Sequence, residues 1–277
     1  MSVGRIALGI DVGGTGIKAA VVDLDSGGLA SSRIRVKTPS PSTPTAVAEV
    51  IAGIVDRLAS EVDLPPSVPV GCGVPGVVLE GQVMTVANID PGWLEVSAEE
   101  VLGQALGRRM HVLNDADAAG IAEMAFGVGR GWRGTVLMLT IGTGIGSAVF
   151  RDGVLLPNTE FGHLKMGGRD AETRLSGTAR ERRGLKWRIW ASEFNLYLER
   201  VETLLWPDLI ILGGGVAKAF GQYAERLKAR APIAVAEFLN ASGIVGAALH
   251  AAEHERLVEP VLPVAAPIEA VIAGDGR

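Results

Sequence analysis

Cysteine is almost missing. The chain's 277 residues hold one, Cys72, so no disulfide can form within the chain. It lies in the apolar run "VPVGCGVPG" and reads as a plain buried thiol. Positive charge is also scarce: 26 Lys and Arg stand against 31 Asp and Glu, a net charge of −5. That balance argues against an extended face for nucleic acid. No apolar run reaches the roughly 18 residues of a membrane span. The opening "MSVGRIALGID" enters a strand-like run without the small-residue cleavage site of a signal peptide, so a cytoplasmic protein is expected.

What is abundant is glycine, 37 residues, in a chain that is 48% apolar. Such a chain can bury a sizeable core in one or two lobes, and its glycines suggest tight turns or close approach of backbone to a ligand. "RIALGIDV", "IKAAVVDL" and "LASSRIRV" read as strands with glycines between them. Apolar positions from Val47 to Leu58 follow a helical period, with Thr43 and Pro44 as cap and first-turn residue. "VPVGCGV" reads as a buried strand, and Ser97 with Glu100 has capping-box spacing. A second cycle follows: strand "MHVL", helix "NDADAAGIAEMAFG", and strand–glycine turn–strand in "GTVLMLTIGTGIGSAVFRDG". Then come an amphipathic helix "WRIWASEFNLYLERVETLL", a buried strand "PDLIIL" and a glycine-opened helix "GGGVAKAFGQYAERL". The plan of "LGIDVGGTGIKAAVV" returns in "LTIGTGIGSAVF" about 130 residues later, so two related α/β lobes with a cleft between them are expected. The tail from about Leu257 has no clear period and is expected to be loosely held or packed as an extended strap.

Neither glycine turn is a dinucleotide fingerprint, because each leads into a strand rather than a helix. Neither fits the P-loop spacing. A glycine-rich hairpin turn instead offers several backbone N–H groups to one anion, with no Cβ atoms in the way. Thr15 and Thr143 add hydroxyls, and Asp11 stands where it can hold Mg²⁺ directly or through water.

Five segments in order, "GIDVGGTGIKAAVVD", "NDADAAGIAE", "LTIGTGIG", "TEFGHL" and "LIILGGGV", resemble the ROK sugar kinases. The resemblance spans roughly residues 5 to 250. It implies the actin-like fold of duplicated ribonuclease-H-like lobes, with the active site in the interlobe cleft. Residues 1–110 would form a smaller lobe completed by a helix near 242–255, residues 111–241 a larger lobe, and 256–277 a tail. The run from "TIGTGIGSAVF" to "GRDAE" is most similar to the branch that uses polyphosphate or ATP to phosphorylate glucose or mannose. Most ROK proteins carry a cysteine-rich zinc site after the "TEFGHL" segment. This chain has no cysteine after Cys72, so no thiolate zinc site is expected and His163 is not a structural zinc ligand.

The resemblance implies roles. Asp115 matches the catalytic base, although Asn114 and Asp115 both suit a helix N-cap. Asn88, Asn114, Glu160, His163 and Glu172 match sugar-binding positions, with the backbone around Gly76 lining the same pocket. Asp11, Gly13, Gly14, Thr15 and Lys18, with Gly142, Thr143 and Gly144, would hold phosphate and Mg²⁺. Gly213, Gly214 and Gly215 match the nucleotide turn. Asp117 reads as a helix-surface residue and His111 as structural, while His250 and His254 read as a solvated helix face.

Residues 169–188 carry seven Arg or Lys against three acids, net +4 in a chain totalling −5. Arg180, Arg182 and Arg183 are therefore the expected path for polyphosphate. The alternatives are a strictly ATP-dependent hexokinase or N-acetylhexosamine kinase of the same family, and, in a different class, a polyphosphate phosphatase with no sugar acceptor. A sugar-responsive repressor would need a helix-turn-helix ahead of the first glycine motif, which begins by residue 9. A monomer or homodimer is expected.

Overall fold

The computed structural model describes residues 5–238 and 241–257, so the expected tail lies outside the described residues from position 258 onward. In chain order come β1 (Ile6–Gly13), β2 (Gly16–Asp23), β3 (Ile34–Val36), α1 (Pro44–Ala59) and β4 (Val70–Val74). The short pair β5 (Val78–Leu79) and β6 (Gln82–Val83) follows, then α2 (Ala98–Leu106), β7 (His111–Asn114) and α3 (Asp115–Ala125). The second run has β8 (Thr135–Ile141), β9 (Ile145–Arg151), β10 (Val154–Leu156) and the pair β11 (Lys165–Met166) and β12 (Arg169–Asp170). It ends with α4 (Glu172–Leu175), α5 (Gly177–Arg182), α6 (Trp187–Leu205), β13 (Leu209–Gly213), α7 (Gly214–Ala217), β14 (Ile233–Val235) and α8 (Ser242–Leu257).

Two five-stranded sheets result, ordered β3-β2-β1-β4-β7 and β10-β9-β8-β13-β14. Each repeats one plan: an antiparallel hairpin with a glycine turn, whose first strand also pairs in parallel with the next strand inward. Local chemistry sets the helix starts. The Ala46 N–H donates to Thr43 Oγ1 at 3.3 Å ahead of Pro44, and the Glu100 N–H donates to Ser97 Oγ at 3.2 Å. The helix expected from Gly213 is cut short. Only α7 forms, followed by two 3₁₀ turns at Phe220–Gln222 and Ala224–Arg226. Gly221 weakens the run, and Tyr223 turns back into the core, where its hydroxyl donates to the Val216 carbonyl at 3.1 Å.

Strand alternation sorts the two faces of each sheet. In the first, Leu8, Ile10, Val12 and Ile17 pack with α1 and α2 in one core. The other face presents Ala7, Gly9 and Asp11 on β1 against Val22, Ala20 and Lys18 on β2. Its small residues lie under α8, packed with Ile244, Val245 and Ala248. In the second sheet, Leu137, Leu139 and Ile141 meet Trp190, Phe194 and Tyr197 of α6. The opposite face gives Met138, Ala148 and Phe150 to Ala119 of α3. Helices α3 and α8 then pack on each other, forming the layer between the sheets.

That layer is thin because backbones touch. A Cβ on Gly71 would lie 1.8 Å from the Ala247 carbonyl oxygen, and one on Gly246 would lie 1.6 Å from that of Ala118. Neither obstacle is a side chain that can swing away. Gly71→Ala should therefore cost about 1–3 kcal/mol, as overpacking does. A urea unfolding midpoint matching that of the unmodified protein would show instead that α8 can lift off the sheet.

Candidate active site

The glycine turns of the two hairpins face each other across a cleft of about 510 Å³. Asp11, Gly13, Gly14, Thr15 and Lys18 line it from the first sheet, and Gly142, Thr143 and Gly144 from the second. Asn88, Gly76, Asn114, Asp115, Glu160, His163 and Glu172 line it as well, as do Gly214 and Gly215. Gly213 does not; it ends β13, with Met138 packed against it. The chemistry-bearing residues expected from both halves of the chain thus meet in one place.

Asp115 is positioned by its neighbour. β7 ends at Asn114, whose Oδ1 accepts from the Ala116 and Asp117 N–H groups at 2.8 and 3.1 Å. Asn114 is therefore the N-cap of α3, which leaves the Asp115 carboxylate free for the cleft. The cap's Nδ2 donates to the Gly76 carbonyl at 3.0 Å and to Glu160 Oε1 at 3.4 Å. The amide of Asn114 is spent on holding other site residues.

The remaining polar groups form a chain of contacts. His163 sets Nε2 3.6 Å from Glu160 Oε2 and Nδ1 3.1 Å from Asp170 Oδ2, and Lys165 pairs with the same Asp170. Glu172 Oε2 accepts from the Ile145 N–H at 3.2 Å and crowds Gly144, which ties it to the second glycine turn. In the first hairpin, Lys18 Nζ donates to Asp11 Oδ2 at 2.5 Å. Asn88 lies so close that a Cβ on Gly14 would stand 2.6 Å from its carbonyl oxygen. Gly214, with φ of 76°, brings the third turn against Ile141.

Several residues depart from expectation. Asp117 is buried rather than on the helix surface. Its Oδ2 accepts from the Asn158 N–H at 2.8 Å, and Asn158 in turn clasps the backbone of Val78 through both amide atoms, at 2.9 and 2.8 Å. The loop that carries Glu160 is thereby tied to the first lobe. Arg33 and Arg35 line the cleft as well, although nothing in the sequence analysis singles them out. Their signal was present as alternation in "SSRIRVK".

The expected polyphosphate path does not reach the cleft. Arg183 donates to both carboxylate oxygens of Glu193, Arg182 donates to the Thr173 carbonyl, and the Arg180 guanidinium lies 3.7 Å above the Trp187 ring. None of the three lines the cavity. The physical reason is that α5 and the residue after it turn these side chains toward Thr173 of α4 and toward Trp187 and Glu193 of α6. His111 is buried, as a structural residue should be, and His254 is exposed, whereas His250 is half-buried.

Comparison with known proteins fixes the family. The ROK family model matches residues 7–181. The chain belongs to the ROK family. It is 44% identical over 246 residues to the polyphosphate glucokinase of Mycobacterium tuberculosis strain CDC 1551 / Oshkosh, covering 88% of this chain and 91% of that one. Among solved structures it is similar to the inorganic polyphosphate/ATP-glucomannokinase of Arthrobacter sp. strain KM, at 47% identity with a TM-score of 0.87. That match covers 90% of this chain and 99% of the other. A ROK family glucokinase from Streptomyces griseus, solved with glucose and AMPPNP, shares the fold at 24% identity with a TM-score of 0.77, covering 90% and 99% of the two chains. The ROK fold is the actin-like arrangement of two lobes, and the two repeated sheets described above are those lobes.

Electrostatics single out α3. Burial raises the Asp115 carboxyl from 3.8 to about 7, with Asp11, Glu160 and Asp117 pushing the same way and the Ala116 N–H opposing. Burial likewise raises Asp117 to about 7, against the Asn158 N–H. Glu160 is raised by burial too, with His163 opposing. A carboxyl whose folded value exceeds its unfolded one favours folding while protonated, and that contribution is lost as pH climbs through the folded value. The loss for Asp115 thus falls between roughly pH 4 and 7. Asp115→Asn should melt several degrees above the unmodified protein at pH 8, and the gain should shrink toward pH 4.5. A pH-independent difference would mean that Asp115 is not strained by its charge.

Proposed function

We propose that the protein is a polyphosphate- and ATP-dependent glucokinase that transfers a phosphoryl group to the 6-hydroxyl of glucose and also accepts mannose. The observation that carries this reading is the Asp115 carboxylate, held near neutrality at the junction of two phosphate-type turns and a hydroxyl-binding set. Transfer to a hydroxyl needs a donor cradle, charge neutralisation and an acceptor for the hydroxyl proton. The turns at 13–16 and 142–144 supply backbone N–H groups for the cradle, Lys18 supplies charge, and Asp115 accepts the proton. A base is most effective when its pKa lies close to the working pH, and Asp115 sits at about 7.

Glu160 and Glu172 are acceptors for sugar hydroxyls, and His163 is oriented between Glu160 and Asp170. Asn88 and the Gly76 backbone complete the pocket, with Asn114 fixing Glu160 and Gly76 in place. Gly214 and Gly215 would face the nucleotide when ATP is the donor. Magnesium suits this cleft: it keeps several waters and takes one or two carboxylates plus phosphate oxygens. Asp11 provides such a carboxylate beside the first turn, with Asp115 in the same cavity. When bound, the ion neutralises charge on the phosphoryl oxygens.

Asp115→Asn should lower kcat by roughly 10²- to 10⁴-fold with glucose binding kept. In the unmodified protein kcat/KM should fall as pH drops through about 7. Near-normal turnover by the variant would refute the base assignment. Phosphate release from polyphosphate without hexose would point to a phosphatase instead.

A further inference from the structure

Asp117 does not line the cleft, yet its carboxyl is buried, with the residue 1% exposed. Burying such a group is costly unless its oxygens find donors. Oδ2 accepts from the Asn158 N–H at 2.8 Å, while Oδ1 is buried with no hydrogen-bond partner. Packing alone does not call for a carboxyl at such a place. Its one partner is itself unusual. Asn158 has φ of 60°, a left-handed conformation that Asn tolerates better than most residues. From there its Oδ1 accepts from the Val78 N–H at 2.9 Å and its Nδ2 donates to the Val78 carbonyl at 2.8 Å. Asn158 thus joins α3 to β5, by its backbone at one end and its side chain at the other.

Each end of this clasp stands two residues from a wall of the cleft. Gly76 precedes Val78 by two positions, Glu160 follows Asn158 by two, and both line the cavity. The Asn114 amide nitrogen lies between them, donating to the Gly76 carbonyl and to Glu160 Oε1 at 3.0 and 3.4 Å. The chain between Asn158 and Glu160 has little slack. Ser147 Oγ on β9 donates to the Thr159 carbonyl at 2.6 Å and accepts from the Phe161 N–H at 3.0 Å. Both neighbours of Glu160 are therefore bonded to the second sheet, and the clasp ties that loop to the first.

We infer that Asp117 and Asn158 are positioning residues for the hexose: together they fix the separation of Gly76 and Glu160, and with it the width of the sugar end of the cleft. This role deepens the glucokinase reading and rests on Glu160 being a sugar acceptor there. A loop already held in place loses little freedom when a hydroxyl binds to it, whereas a released loop must be ordered by each hexose that arrives. The cost of breaking the clasp falls on the hexose. The donor turns are held by their own hairpins.

The test measures glucose binding by calorimetry without donor, KM for glucose and for ATP, and melting temperature. Asn158→Gly keeps the left-handed backbone and the N–H to Asp117 but removes both bonds to Val78. It should weaken glucose binding and raise KM for glucose about tenfold, the scale of two lost hydrogen bonds, with KM for ATP unchanged. Asp117→Ala should act in the same direction, and Asp117→Asn, which keeps an acceptor for the Asn158 N–H, should recover most of the loss. In a Glu160→Gln background Asn158→Gly should add little, because the clasp acts through Glu160. A lower melting temperature with unchanged KM for glucose, an equal rise for both substrates, or full additivity with Glu160→Gln overturns the positioning role, while glucose phosphorylation by the unmodified protein still stands. If Asp117→Ala does not fold, Asn158→Gly decides the matter alone. If the unmodified protein neither binds nor phosphorylates a hexose, the glucokinase reading falls first and takes the clasp with it.

Discussion

A carboxylate buried beside other carboxylates is the constraint around which this molecule is arranged. Asp115 is pushed up to about 7 by burial and by Asp11, Glu160 and Asp117. A group that resists ionisation is held in place only if its backbone is fixed by something else. That task falls to Asn114, whose side chain caps α3 and reaches Gly76 and Glu160. One residue therefore sets the helix start, the placement of Asp115 and the position of the Glu160 carboxylate. Stability lost at Asp115 is the expected companion of the proposed role as a base that works near neutral pH.

The duplicated hairpin explains why that constraint can be met. In the first sheet the face turned toward the middle of the molecule carries small residues, Ala7, Gly9 and Ala20, and in the second it mixes Gly146 and Ala148 with Met138 and Phe150. Helix α8 lies on the first face at backbone contact, and α3 meets the second through side chains such as Phe150 and Ala148. The residues one step further along the same strands, Asp11 and Lys18, emerge beyond the start of α8, where Gly243 leaves room for the Asp11 carboxylate. The alternation that buries alanine under a helix thus delivers charge to the cleft two residues later. Packing and the lining of the cleft share one strand period.

Much of this was legible in the sequence because it depends on local rules. Glycine turns between β-branched runs marked both hairpins, the capping residues marked α1 and α2, and the repeated plan marked two lobes. The family was legible through five ordered segments, "TEFGHL" among them. Residues whose role depends on long-range packing were not. Asp117 looks like any helix-surface acid until Asn158, 41 positions away, comes down on it. The 180–183 arginines look like an anion path until Glu193 and Trp187 of α6 engage two of them. The run after Gly213 has helical composition, yet the burial of Tyr223 folds it into short turns. Arg33 and Arg35 had a period-2 signal, but only the pairing of β3 with β2 sets Arg35 opposite Lys18.

The segment from His163 to Leu175 shows how one fold can hold the same functional group by different means. With a single cysteine, Cys72, which is buried in β4, the chain has no thiolates there. The segment is instead fixed by charge and by one aromatic anchor. Asp170 engages both His163 and Lys165, and the positive partners hold its carboxyl below the usual range. The Ala171 N–H donates back to the Leu164 carbonyl at 3.0 Å, and buried Trp190 donates from Nε1 to the Leu175 carbonyl at 2.8 Å. Between these anchors Gly167 and Gly168 make the tight β11–β12 turn at positive φ. His163 is thereby aimed at Glu160 from one end, while Glu172 reaches the second phosphate turn from the other. Glu160 and the second glycine turn are joined through the ten residues from His163 to Glu172, so a shift of this hairpin moves both together.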